Sequence, residues 1–243
     1  MNHCHSVLMC DGEHGSGSHL GAAGAGSELI GFGRIILFYT TDTNDHGLPF
    51  NPLKAIVAPR PIGWISSVNS QGDVNLAPYS FFNLLSVRPA LIAFSSEGWK
   101  DTVAFIAQTK EFVCNIASYE LRDQMNATSA PLERGQSEFE HAGIDMAPSS
   151  LVKPPRVLKA PASLECKLVE IQQLKTADGT LIDAWQVIGQ IVGVHMADEV
   201  IVDGRFDITA ARLIARCGYL DFVSTDTVFS IDRPAGGGNP TGG

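Results

Sequence analysis

Regular alternation of hydrophobic and polar positions begins at Ile35 to Tyr39. The stretch before it, His14 to Ser27, is almost entirely Gly, Ala, Ser and His and carries neither a helical nor a strand period. Ile62 to Val68 and Val74 to Tyr79 flank Asn69-Ser70-Gln71-Gly72-Asp73, whose Gly72 accepts positive φ and whose Asn and Asp favour turns; a β-hairpin is predicted. Leu91 to Phe94 reads as a buried strand, Asp101 to Gln108 as a short helix with Asp101 as N-cap, and Phe112 to Ile116 as a strand again. Tyr119 to Asn126 and Ser137 to His141 read as short helices, the second capped by Ser137. Pro148 to Pro161, with four prolines, reads as an extended connection. Ser163 to Leu174 and Leu181 to Met196 form a long antiparallel pair turned by Ala177-Asp178-Gly179-Thr180. Thr209 to Cys217 is expected to be an amphipathic helix, with Leu213 and Ile214 among Arg212 and Arg216. Many strands and few helices argue for a β-barrel or a sandwich.

This pattern divides the chain into a flexible leader at 1–33, one domain at 34–234, and a flexible glycine-rich tail at 235–243. The full 243 residues are within what one β-rich domain with decoration occupies, and 44% hydrophobic against 18% charged residues can fill a core. A net charge of -9, from 17 basic and 26 acidic residues, opposes wrapping of nucleic acid or an anionic membrane and points to a small-molecule partner. No apolar run reaches the ~20 residues of a membrane span and no signal peptide pattern opens the chain, so a cytoplasmic location is expected. Five scattered cysteines suit reduced, structural thiols.

Histidines and cysteines crowd the leader (His3, Cys4, His5, Cys10, His14, His19), but a metal needs a scaffold that holds its ligands, and none is expected there. The glycines at 15, 17, 21, 24 and 26 lack the preceding strand and following helix of a dinucleotide loop. No Gly-x-Ser-x-Gly, Walker loop, His-Glu-x-x-His or Cys-x-x-Cys occurs, which removes the stronger hydrolase and metal signatures.

The informative stretch is Pro59 to Thr102. Ser66, Ser67, Asn75, Ser80, Asn83, Ser86, Ser95 and Ser96 supply small hydroxyl and amide groups beside the aromatic Trp64, Tyr79, Phe81 and Phe82. Such a mixture can hydrogen-bond a polar heterocycle or a phosphate while offering stacking surface. Lys100 and Thr102, at the mouth of a short helix, add a cation, a hydroxyl and free backbone N–H groups, the ingredients of an anion site. The same serines also suit solvent-facing edge strands and turns, and spacing alone does not choose between these readings.

Pro59-Arg60-Pro61-Ile62-Gly63-Trp64-Ile65-Ser66-Ser67 and Gly72-Asp73-Val74-Asn75-Leu76-Ala77-Pro78-Tyr79-Ser80-Phe81-Phe82-Asn83 closely resemble the flavin reductase-like family of FMN-binding split barrels. The resemblance runs from about Ile36 to Pro234, through Lys100-Asp101-Thr102, Gln124-Met125-Asn126-Ala127-Thr128-Ser129 and Gly189-Gln190-Ile191-Val192-Gly193-Val194-His195. It implies a mainly β, Greek-key antiparallel split β-barrel with a few short peripheral helices. It also implies a homodimer with FMN near the subunit interface, and NADH or NADPH as electron donor. Carried onto this chain, Ser66, Ser67 and Asn75 to Asn83 (with Ala77, Pro78, Tyr79, Ser80 and Phe81) would face the ribityl chain and flavin ring, and Ser95, Ser96, Lys100 and Thr102 the phosphate. The link Glu97-Gly98-Trp99 is shorter than is usual in the family, and the leader has no counterpart in it. The activity implied is electron transfer from NAD(P)H to flavin, with reduced flavin supplied to a partner oxygenase; a non-catalytic FMN electron carrier is the alternative. His195, ending a strand, suits either the nicotinamide side or a plain hydrogen bond.

A leader without apolar period contributes little buried area. Deleting residues 1–33 is therefore expected to leave both flavin affinity and melting temperature unchanged, and a large loss of either contradicts the division.

Overall fold

The computed structural model describes residues 27–30, 34–133, 135–232 and 234. The chain forms two compact units, Met1–Asn51 and Pro52–Gly243. In the first, β1 (Ser27–Ile30) pairs antiparallel with β2 (Arg34–Leu37). β1 falls inside the stretch expected to be leader; the rest of that leader, with its histidines and cysteines, and the tail at 235–243 lie outside the described residues.

In the second unit the order is α1 (Leu53–Ile56), β3 (Arg60–Pro61), β4 (Gly63–Val68), β5 (Val74–Tyr79), β6 (Phe82–Val87), β7 (Ala90–Glu97), α2 (Asp101–Thr109) and β8 (Glu111–Ile116). It continues with α3 (Arg122–Ala127), α4 (Glu138–His141), β9 (Met146–Ala147), β10 (Arg156–Val157), β11 (Ala162–Lys175) and β12 (Leu181–Met196). The last elements are β13 (Ile201–Val202), β14 (Arg205–Phe206), β15 (Ile214–Gly218) and β16 (Asp221–Ser224). The predicted hairpin is β4–β5: Asn69 Oδ1 accepts from the N–H groups of Gln71 and Asp73, and Gly72 adopts φ +97°. The long pair is β11–β12, with β12 spanning the predicted residues.

Seven strands form one antiparallel sheet in the order β5-β4-β8-β11-β12-β7-β6. Its two edges, β5 and β6, are consecutive in sequence and joined only by Ser80 and Phe81. A flat sheet of this width would separate its edges by roughly 29 Å, whereas the three Cα–Cα steps from Tyr79 to Phe82 span at most about 11 Å. The sheet therefore curls into a barrel, which stays split because no ladder joins β5 to β6.

Inside the curl, Ile65, Phe94, Phe112 and Cys166 pack with Val103 and Ile106 of α2. Outside it, Trp64, Ile62 and Leu76 are covered by Leu121, Met125, Phe139 and Val157. β4 is consequently buried on both faces, which is why its sequence lacks polar alternation. Burial also pushes the Cys114 and Cys166 thiols up, in keeping with inert structural roles.

Two local expectations are corrected. Lys100, not Asp101, occupies the N-cap of α2, and Asp101 is its first residue. The helix expected over Thr209 to Cys217 is a turn followed by β15. Asp207 Oδ1 accepts from the N–H groups of Thr209 and Ala210, as at a helix start, but Arg212 takes φ +42° and ends the turn. Ile214 to Gly218 then pairs with β16 and, through Ala215 and Arg216, with β3. Sheet pairing with a strand about 150 residues earlier overrides a weak local helical pattern.

Gly189 on β12 allows Phe112 to cross the barrel, since a Cβ there would lie 2.3 Å from Phe112 Cζ. Gly189→Ala is expected to lower stability by about 1–3 kcal/mol through overpacking, read as a lower urea midpoint, with Phe112→Leu in the same chain recovering part of the loss.

Candidate functional site

The edge strand β5 has one unpaired side, and two segments converge on it. From one direction comes the start of α2, where Lys100, Asp101 and Thr102 present a cation, a hydroxyl and the first-turn N–H groups that no helical carbonyl can satisfy. From the other comes the end of α3 with residues 128–132. Together with Asn75, Ala77, Pro78, Tyr79 and Glu138 they enclose a hollow of about 330 Å³.

Its polar floor is tightly bonded. Thr102 Oγ1 donates to Asn75 Oδ1 at 2.5 Å, and Asn75 Nδ2 donates to Glu138 Oε1 at 3.0 Å. Glu138 Oε2 accepts from the Leu76 N–H at 2.9 Å, so the glutamate replaces a missing strand neighbour at the sheet edge. Burial pushes the Tyr79 phenol up, partly offset by hydrogen bonds with Thr102 and Ser96, and Glu138 and Asp101 push it further; it stays neutral at pH 7.

A second hollow of about 280 Å³ continues the first through Pro78 and Ser129, and is lined further by Ile62, Ser80, Met125 and Phe222. The result is an elongated groove with Lys100 and the first-turn N–H groups of α2 beside the carboxylates of Asp101 and Glu138 at one end, and Ile62, Met125 and Phe222 with Asn126 and Arg216 at the other. That donor set fits a flat heterocycle carrying a phosphate: the ammonium and N–H groups suit the phosphate, and the apolar end suits a ring. Trp64 Nε1 donates to Thr128 Oγ1 at 2.9 Å, and Thr128 Oγ1 donates to the Met125 carbonyl at 2.7 Å, fixing the far wall to β4.

Of the residues singled out in the sequence, the structure gathers Asn75, Ala77, Pro78, Tyr79, Ser80, Lys100 and Thr102 along this groove. The others stand elsewhere. Ser66 and Ser67 are buried on β4, Ser66 donating to the Pro155 carbonyl, while Ser67 Oγ has no partner among the described residues. Ser96 lies behind Tyr79 and donates to the Gly98 carbonyl, and the Ser95 N–H donates to the Phe81 carbonyl. Phe81 faces Lys54 and Arg60 at 5.6 and 5.9 Å. Asn83 is exposed on β6 with its Oδ1 accepting from the Leu84 N–H. No site role was expected for Glu138, Ser129, Asn126 or Phe222; for Asn126 and Ser129 the signal was the Gln124-to-Ser129 motif, which carries the family resemblance without showing which groove wall it forms, while nothing local in the sequence marks Glu138 or Phe222.

His195 is in a separate hollow with Arg156 and Asp198. Its Nε2 lies 2.5 Å from Oε1 of Glu165, a fully buried carboxylate that also accepts from the N–H groups of Ser150, Leu151 and Val152. Burial alone would push the Glu165 carboxyl up, but the N–H donors of Ser150 and Leu151 and the bond with His195 outweigh it and hold the group below its ordinary value. The pair ties the turn before β10 to β11 and β12. Among the described residues no group of three or more His, Cys, Asp or Glu could hold a metal ion, and no helix is long and apolar enough to cross a membrane.

The fold and groove define a split-barrel flavoprotein-like class, and the comparisons agree. The chain belongs to the flavin reductase like domain family, whose model matches residues 57–208. A protein of Halalkalibacterium halodurans is 32% identical over 183 residues, 73% of this chain and 87% of that protein. Nitrilotriacetate monooxygenase component B from Bacillus cereus superposes with a TM-score of 0.71 at 27% identity, covering 79% of this chain and 95% of that one. A split barrel domain protein of Shewanella frigidimarina gives 0.69 at 25% identity, with 81% and 94% covered.

Glu165→Gln replaces an acceptor facing three N–H groups by a side chain that must turn an amide N–H toward one of them, at an expected cost of about 1.5–3 kcal/mol at pH 7. Because the native carboxyl lies below its ordinary value, this stability is present above about pH 4.3 and is lost as pH falls through the native pKa. Denaturation curves of the two proteins should therefore converge on acidification from about pH 5 to pH 3; a widening gap contradicts the assignment.

Proposed function

We propose that this protein is an FMN-dependent oxidoreductase that takes electrons from NADH or NADPH and passes reduced flavin to a partner oxygenase. The carrying observation is the groove on β5, with Lys100 and a helix start at one end and Ile62, Met125 and Phe222 at the other, in a chain of the flavin reductase like domain family. Lys100 and the first-turn N–H groups of α2, that of Thr102 among them, hold the phosphate, while the Thr102 hydroxyl stays bonded to Asn75. Asn75, Ala77, Pro78, Tyr79 and Ser80 line the ribityl chain and ring, with Ser129 opposite. Ser66, Ser67, Ser95 and Ser96 support these strands from behind.

A flavin held there would itself supply the hydride-accepting centre, so the residues of the chain would hold and orient it without providing an acid or base at the reacting atom. The chain's contribution is placement: β5 fixes one wall and the Trp64–Thr128 bond fixes the other. The oxygenase partner is supported by the similar Bacillus cereus protein, named as a monooxygenase component. A homodimer is supported by the edge strand β6, which leaves Leu84, Leu85 and Val87 half to mostly exposed, beside an exposed Phe81 and Asn83.

Lys100→Ala is expected to weaken FMN by about 1.5–3 kcal/mol, roughly 10- to 150-fold, and riboflavin, which lacks the phosphate, far less. Fluorescence titration with both ligands reads this, and equal weakening removes Lys100 from the phosphate site. Steady-state oxidation of NADH and NADPH with added FMN tests the activity; tightly bound flavin with negligible turnover would identify an electron carrier instead.

A further inference from the structure

Beyond the flavin groove lies a third hollow, of about 330 Å³, that the proposed FMN site does not use. It joins the apolar end of the groove through Met125, Asn126, Arg216 and Phe222. Two guanidinium groups line it. Arg122 lies 4.2 Å from the Tyr119 ring, and Arg216 lies 4.4 Å from the Phe222 ring. Their electrostatic surroundings differ from those of the neighbouring Arg212, whose charge is met by Glu120 at 2.8 Å and Asp226 at 3.3 Å while it braces the Tyr119 ring at 4.2 Å. Arg216 meets no carboxylate among the described residues, and Arg122 meets only Asp123 at 3.3 Å, a largely exposed pair of the kind that contributes little. In a chain of net charge -9, two arginines stacked on rings in one concavity form a local positive site.

The order along the molecule is then Lys100, a middle walled by Ile62, Met125 and Phe222, Arg216 at the junction of the middle and third hollows, and Arg122 in the third. With the flavin phosphate at Lys100, the flavin ring occupies the middle, Arg216 stands at its border and Arg122 lies past it, where a second ligand must approach to reach the ring. We infer that Arg122 and Arg216 bind the pyrophosphate of the reducing nicotinamide nucleotide, so that its nicotinamide crosses Met125 and Asn126 toward the flavin. Guanidinium groups suit phosphate oxygens through paired N–H donors, and the Tyr119 and Phe222 rings hold them in place. This inference rests on the functional reading above.

The test uses the full chain loaded with FMN. Binding of oxidised NAD and NADP is followed by the change they cause in the visible absorption of the bound flavin, and half-saturation by NADH and NADPH is followed in anaerobic reduction. Arg122→Gln and Arg216→Gln are each expected to weaken nucleotide binding about tenfold or more, while in Arg122→Gln, whose side chain lines only the third hollow, FMN affinity from fluorescence titration stays within about twofold. Arg216→Lys should recover part of the loss, and added salt should weaken the unaltered protein more than either variant. Arg216 also donates to the Tyr219 carbonyl, so thermal melts accompany each variant, and Arg122→Gln decides the matter if Arg216→Gln melts early. Unchanged nucleotide binding in Arg122→Gln overturns the inference, as does a tenfold loss of FMN affinity in that variant, which would place the flavin phosphate at the arginines. Failure of the unaltered chain to bind FMN at all overturns the functional reading itself and this inference with it.

Discussion

The two-residue link Ser80-Phe81 is the constraint on which the rest of the molecule depends. It joins strands at opposite edges of a seven-stranded sheet, so the sheet curls until those edges lie within one short link of each other. Curling gives the sheet an inside, filled by Phe94, Phe112 and α2, and leaves β5 without a partner along its free side. A barrel closed by a β5–β6 ladder would have no such side. The groove is the consequence of an edge that the topology brings close but does not pair.

An unpaired edge must satisfy its polar groups by other means. Here Glu138 accepts from the Leu76 N–H and from Asn75, and Thr102 completes the chain of bonds. The groove floor is thereby rigid before any ligand arrives. Asn115 does comparable work deeper in the fold: its amide donates to the Trp64 carbonyl and accepts from the Val157 N–H and the Ser163 hydroxyl, locking β4, β8, β10 and β11 together. Buried, fully used polar groups of this kind determine register as well as stability. Glu165 extends the same logic to the turn at 150–152, where one carboxylate holds three backbone N–H groups and a histidine.

Function follows from what lines the unpaired edge. For the phosphate-bearing flavin proposed as ligand, the groove offers Lys100 and the first-turn N–H groups of α2 at one end and Ile62, Met125 and Phe222 at the other. In the proposed function the hydride chemistry would be the flavin's own, which leaves acids such as Glu138 to build the groove through their hydrogen bonds.

The sequence by itself determined the strands that carry their own local signal. Asn69 to Asp73 closes the β4–β5 hairpin through its own side chains, and the long alternation of β11 and β12 needs no context to be recognised. The motifs around β5 and Lys100 likewise located the part of the groove built from contiguous residues. What only the tertiary structure decided was which distant segments meet. The Thr209 to Cys217 stretch has a helical pattern but becomes β15 because β3, far away in sequence, offers it a strand to pair with. Ser66 and Ser67 read as ligand donors yet are buried by Pro155 and the core, since which face a strand turns inward on a doubly buried sheet leaves no alternation to read. Glu138, Ser129, Arg216 and Phe222 reach the groove from three separate segments, and such convergence is a property of packing that no spacing along the chain records.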